Sequence, residues 1–199
     1  MGDENKSYKK GFDKIKEALV NNEALEILIT DLNKEENQII EFHPHFLKIW
    51  NNKWYALGHS PQKTFKPYVL PIDTRIKKIK TKRSEYIKSE INYLDKEGNS
   101  AFFDQIIGVT NLKEREVENI TIKIHSRRRY NRLKLKRAHF SMEFFDNEMT
   151  IKFQVKRNPE LTNFIMEHAD EIEVLEPKSL KLDVQKKLKK ANTIYNTKQ

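Results

Sequence analysis

The chain has 199 residues, of which 37% are apolar and 34% charged, with no cysteine and a formal net charge of +9 at pH 7. So low an apolar share fits two small domains better than one large core, and the missing cysteines exclude a disulfide framework and thiolate zinc sites and agree with a reducing, cytoplasmic setting. No run of about 18 apolar residues offers a membrane-spanning helix, and the opening MGDENKSYKK lacks the apolar stretch of a signal peptide.

Phe12, Ile15 and Leu19 recur at helical spacing and predict a short amphipathic helix over 12–20. The period then changes to two at Leu25, Ile27 and Ile29, which predicts a strand. A polar turn at 33–37 leads to a second strand over Ile39 to Phe42, expected to stop at Pro44. Asn51-Asn52 is a turn signal, because Asn tolerates the left-handed backbone region. Lys53 to Leu57, Tyr68 to Leu70 and Arg75 to Ile79 are further extended pieces. Short strands with tight turns between them predict a small curled sheet or barrel. Residues 83–117 are polar apart from Phe102-Phe103 and Ile106-Ile107, and predict a docked linker.

From residue 118 the pattern sharpens. Ile120, Ile122 and Ile124 alternate with polar residues, Arg127 to Leu135 suits a short basic helix, and Phe140 to Phe145 and Met149 to Val155 suit two strands joined at Asp146-Asn147. Asn158 as cap and Pro159 at the first position start a helix. Ile172 and Val174 form a fourth strand, and Leu180, Val184 and Leu188 mark one face of a last helix. Strand, helix, strand, strand, helix, strand is the ferredoxin-like order, here with one helix added. The expected layout is a helix or linker at 1–20, a barrel at 21–82, a linker at 83–117 and an α/β sandwich at 118–195, an α+β protein.

The charge is clustered. Residues 21–47 hold six acidic side chains and one Lys, whereas residues 121–140 hold eight Lys or Arg and no acid. Between Arg75 and Lys88 seven basic residues stand against Glu85. Clustering of this kind is the electrostatic footprint of a nucleic-acid partner, or of solvated strand and helix faces. Catalytic patterns are missing: no Gly-x-Ser-x-Gly, no P-loop and no Gly-rich dinucleotide fingerprint occurs among five glycines. His43 and His45 could point to one face of a strand and grip a metal, yet no ligand pattern completes such a site. The reading is of a non-enzyme with no metal and no cofactor.

The stretch His43-Pro44-His45-Phe46-Leu47-Lys48, then Asn52-Lys53-Trp54-Tyr55-Ala56-Leu57-Gly58, resembles the start of the WYL domain, and Leu70-Pro71-Ile72-Asp73-Thr74-Arg75-Ile76 its closing motif. Residues 118–192 resemble the WCX extension that follows it, through Asn158-Pro159-Glu160-Leu161 and Val174-Leu175-Glu176-Pro177. The resemblance implies an Sm/SH3-like barrel (WYL) before a ferredoxin-like sandwich (WCX), in a transcriptional regulator that senses nucleotides or nucleic-acid fragments. It implies a homodimer, no membrane, and DNA contact through a helix-turn-helix that is missing here or separate. Fewer residues precede the first strand than the roughly 50 such a reader needs.

By position, His45, Lys66 and Arg75 match groove positions of that family, and Trp54 and Tyr55 its named aromatics. Lys48, His59 and Asp73 complete the candidate set on the barrel. Arg127, Arg128 and Arg132 form a basic strip that suits single-stranded nucleic acid, the alternative being a stand-alone module of that kind. Ala56 stands at the third motif position, Thr74 is inserted between Asp73 and Arg75, and Lys66 replaces an Arg and with it the bidentate fork.

Overall fold

A computed structural model describes residues 2–64, 66–98 and 100–196, with residues 2–8 described by backbone alone. The chain divides into two compact units, Met1–Tyr93 and Leu94–Gln199. No helix among the described residues is long and apolar enough to cross a membrane.

The first unit opens with α1 (Gly2–Asn21), longer than its apolar spacing predicts. Asn22 follows at φ 54, and Glu23 N–H donates to Ala18 O at 2.9 Å, a Schellman stop that Asn accommodates at low steric cost. Five strands come next: β1 (Ala24–Asp31), β2 (Glu36–Trp50), β3 (Lys53–His59), β4 (Tyr68–Pro71) and β5 (Ile76–Lys82). They form one sheet in the order β4-β3-β2-β1-β5, with every neighbouring pair antiparallel. The edge strands β4 and β5 do not pair with one another, so the expected barrel is an open sheet.

Pro44 does not end β2. Up to Phe42 the strand pairs with β1, and from His43 onward with β3, with a register shift between Pro44 and Phe46. A strand that changes partner at a bulge leaves one side unpaired there, so the missing N–H of proline costs no ladder bond. Asn51 and Asn52 sit at φ 46 and 59, the two-residue hairpin geometry that matches strand twist. Gly58 is required by close approach: a Cβ there would lie 2.2 Å from His43 O and 2.8 Å from the Phe42 ring. One face of the sheet buries Ile27, Ile40, Phe42, Ala56 and Leu70 against Ile15 and Ala18 of α1.

The second unit has β6 (Val117–Ile124), α2 (Arg127–Leu135), β7 (Glu143–Phe145), β8 (Thr150–Lys156), α3 (Pro159–Met166), β9 (Ile172–Glu176) and α4 (Lys178–Asn196). Its sheet runs β7-β8-β6-β9, again antiparallel throughout. Ile120, Ile122, Ile151, Phe153 and Val174 are buried, as are Tyr130, Leu133, Leu161, Ile165, Leu180 and Val184 of the helices. β7 is shorter than its sequence signal, because Phe140 lies outside it in a turn, 66% exposed. Met149 is likewise outside β8, at φ 50.

The described residues of 83–116 form no helix or strand, and the two ends of the segment belong to different units. Asn158 Nδ2 donates to Ile107 O at 2.7 Å and Thr110 O at 2.9 Å, while Asn158 Oδ1 caps α3 by accepting from Leu161 N–H at 2.8 Å. Glu160 Oε1 accepts from Thr110 Oγ1 at 2.9 Å and Thr110 N–H at 3.2 Å. The Glu160 side chain fills the place a Cβ of Gly108 (φ 92) would occupy, at 2.5 Å.

Candidate functional site

The β2–β3 register sets Ile49 opposite Trp54 and Lys48 opposite Tyr55. Successive strand residues face opposite sides, and the two aromatics separate accordingly. Trp54 turns to the α1 side, where its ring lies 4.9 Å from Phe12. Tyr55 is half-buried on the other side with Lys48, also half-buried. Of the two rings, the structure thus spends Trp54 on the core and leaves Tyr55 with a basic neighbour.

Asp73 and Arg75 come together in the turn between β4 and β5. Arg75 Nε donates to Asp73 Oδ1 and Oδ2 at 2.9 and 3.0 Å, and Nη2 to Oδ2 at 2.8 Å. Arg75 N–H also donates to Asp73 Oδ1, at 3.0 Å, across the inserted Thr74. The carboxylate holds the guanidinium in one orientation and raises its pKa further, with burial opposing. Tyr55 and Tyr68 lie near enough to Arg75 to act on its charge. Burial raises the Tyr68 phenol and the nearby Arg75 opposes it; Lys63 Nζ stands 5.6 Å over the Tyr68 ring. Lys63 and Tyr68 were not singled out as site residues, since a lone Lys in a polar loop carries no pattern of its own. Lys66 is exposed in the β3–β4 loop and has no hydrogen bond or ion pair among the described residues.

The histidines are occupied differently. His43 is fully buried, its Nδ1 accepting from Ile87 N–H at 3.1 Å, and Nε2 lies 3.2 Å from Glu41 Oε1 without hydrogen-bond geometry. His45 Nε2 donates to Ile87 O at 2.7 Å. The backbone of Ile87 is thus gripped at both its N–H and its carbonyl. Tyr86 O–H donates to Pro44 O at 2.6 Å, and its ring lies 5.8 and 5.9 Å from those of His43 and His45. His59 faces His43 across the strands at 5.8 Å. Burial lowers the pKa of both His43 and His45. Glu41 is held charged chiefly by Lys82, with Ser84 Oγ also donating to it at 2.9 Å. His45 therefore serves to hold residues 84–93 on the sheet, a role no sequence pattern signalled. Among the described residues no three His, Asp or Glu gather as metal ligands.

In the second unit α2 carries Arg127, Arg128 and Arg132. Ser126 caps the helix by accepting from Arg129 N–H at 3.3 Å. Arg127 donates to Asp146 O at 3.4 Å, Arg129 Nε to Glu171 at 2.8 Å, and Lys134 Nζ to Asp146 at 2.7 Å. Arg128 and Arg132 are exposed, and their side chains have no hydrogen bond or ion pair among the described residues. A cavity of about 280 Å³ lies between β9 and α4, floored by Ile172, Val174, Val184 and Leu188. At its rim Glu173 pairs with His125 at 3.1 Å and Lys181 at 2.9 Å.

Residues 116–191 match the WCX domain. The match spans all of β6 to β9 and most of α4. No curated protein matches the chain in sequence. Among solved structures, a CRISPR Cas-related protein is similar with a TM-score of 0.51 at 12% identity, over 95% of this chain and 53% of that one. Proteasome accessory factor B/C (PafBC) of Arthrobacter aurescens is similar over 96% of this chain and 28% of its own, at 12% identity and a TM-score of 0.36. The chain spans less than two thirds of either structure, and at such identity the first likeness concerns the fold alone.

Proposed function

We propose that the chain is the sensing part of a WYL-type transcriptional regulator, taking a nucleotide or nucleic-acid fragment on its first unit. The observation that carries this reading is the WCX match over 116–191, which lies behind a five-stranded sheet bearing the WYL-like motif. The strand order β9-β6-β8-β7 supports a ferredoxin-like second unit. The change of partner of β2 at His43, from β1 to β3, supports an Sm/SH3-like ancestry despite the open edges.

The ligand's phosphate meets Arg75, pre-aimed by Asp73, with Lys66 and Lys48 adding charge and Tyr55 a ring. Occupation favours one arrangement of the protein over another and is passed to a dimer partner or a separate DNA reader as a shift in population. His45 acts through the segment it holds. The role is regulatory.

Fluorescence anisotropy with labelled mononucleotides and short single strands tests the reading. A charge-assisted contact contributes about 1.5–3 kcal/mol, so Arg75→Ala should weaken binding by roughly tenfold or more. Asp73→Asn should weaken it less, by freeing the guanidinium to wander. A folded protein that binds neither probe at low salt, or an Arg75→Ala variant that binds as tightly as the parent, overturns the proposal.

A further inference from the structure

We propose that the outward face of α2 is a separate binding surface for the sugar–phosphate backbone of a single-stranded nucleic acid. It lies on the second unit and stands independently of the sensing site on the first.

Residues 127–137 hold seven Lys or Arg and no acid. Glu171 and Asp146 neutralise Arg129 and Lys134, and Arg127 leans on the Asp146 carbonyl. Arg128, Arg132 and Lys136 are exposed, with no acidic partner among the described residues. Their spacing of four places Arg128 and Arg132 on one side of the helix, about 6 Å apart along its axis, with Lys136 continuing the line at the C-cap.

This arrangement costs the fold something. Like charges at such spacing repel by a few tenths of a kcal/mol. Arginines in the first turn oppose the helix dipole, and α2 has no acidic residue there. The packing does not ask for them, since α2 buries only Tyr130 and Leu133. A polyanion lying along the face removes both penalties.

The identity of the polyanion follows from what accompanies the charge. Two of the three unpaired cations are Arg, whose planar fork matches a phosphate. Four residues beyond Lys136, the Phe140 ring is 66% exposed, in contact with the His139 ring at 4.5 Å. A run of cations to follow a backbone and, a few residues on in the chain, an exposed aromatic to stack a base are the two parts of a single-strand platform. Neither an acidic protein nor an anionic membrane repeats a planar base alongside every phosphate.

The test uses the full chain, a labelled single strand of about 20 nucleotides and a labelled mononucleotide, titrated over a range of salt. Each phosphate contact on a single strand contributes about −0.7 to the slope of log K against log salt. The triple variant Arg128→Gln, Arg132→Gln, Lys136→Gln should therefore lower the slope for the long strand by about 2. Mononucleotide binding should stay unchanged. Phe140→Ala should weaken the long strand and leave the salt slope as it was. A triple variant with the parent's affinity and slope overturns the proposal. So does parent protein that binds polyglutamate or phosphatidylserine vesicles as tightly as the strand. Failure of the sensing site is read separately, as mononucleotide binding that is absent or indifferent to Arg75→Ala.

Discussion

Asn158 holds three groups at once: the Leu161 N–H that opens α3, and the carbonyls of Ile107 and Thr110. An N-cap contributes about 1 kcal/mol, and stranding buried carbonyls adds about 1–3 kcal/mol. Asn158→Ala should therefore lower unfolding free energy by about 2–4 kcal/mol in urea denaturation, and Asn158→Asp, which keeps the cap oxygen but sets a second carboxylate oxygen against those two carbonyls, should lose at least as much. Gly58→Ala should also destabilise, by about 1–3 kcal/mol, because its Cβ would meet the His43 carbonyl at 2.2 Å. The helix start at Asn158-Pro159 was legible in sequence, since a cap and its helix are local. The carbonyls it holds were not, because they lie about 50 residues upstream in a segment without period.

At the scale of elements, the segment 84–93 depends on two histidines, of which His43 must be neutral. His43 Nδ1 must be unprotonated to accept from Ile87 N–H, so a proton there sets one N–H against another. The charged and titratable neighbours are Glu41, Lys82, His45, His59 and Tyr86. Burial outweighs Glu41 at His43 and outweighs the Ile87 carbonyl at His45, so both folded pKa values lie below the ordinary one. The unfolded chain then binds protons first as pH falls. The stabilisation is complete above about pH 6.5 and declines as pH drops from there through the folded values. Hydrogen exchange at Ile87, corrected for intrinsic rate, should quicken by up to about tenfold per pH unit for each histidine below 6.5, and the paired variant His43→Asn, His45→Gln should flatten that dependence. The same scale explains β2: alternation located its strand, but only the change of partner at His43 lets it pass Pro44.

For the whole molecule, the segment 100–111 is part of the second unit's packing. Phe103, Ile106, Ile107 and Val109 are buried, Asn111 Nδ2 donates to Phe102 O at 2.6 Å, and Lys156 N–H to Gln105 O at 2.6 Å. Residues 94–199 expressed alone should unfold cooperatively by thermal circular dichroism. Residues 116–199, though they contain the whole WCX match, should melt lower or without a sharp transition. Equal melting temperatures for the two would show that the docked segment adds nothing to the fold.

Local sequence alone carried the helices and strands of the second unit, the Asn51-Asn52 hairpin, the clustering of positive charge and the resemblance that the WCX match over 116–191 supports. Each depends on period, turn chemistry or composition within a short window. Tertiary structure alone decided that the first sheet stays open, that Trp54 serves the core, that Asp73 aims Arg75, and that His43 and His45 clamp Ile87. These outcomes depend on which residues far apart in the chain become neighbours, and burial and hydrogen-bond partnership are properties of that meeting, not of any residue alone.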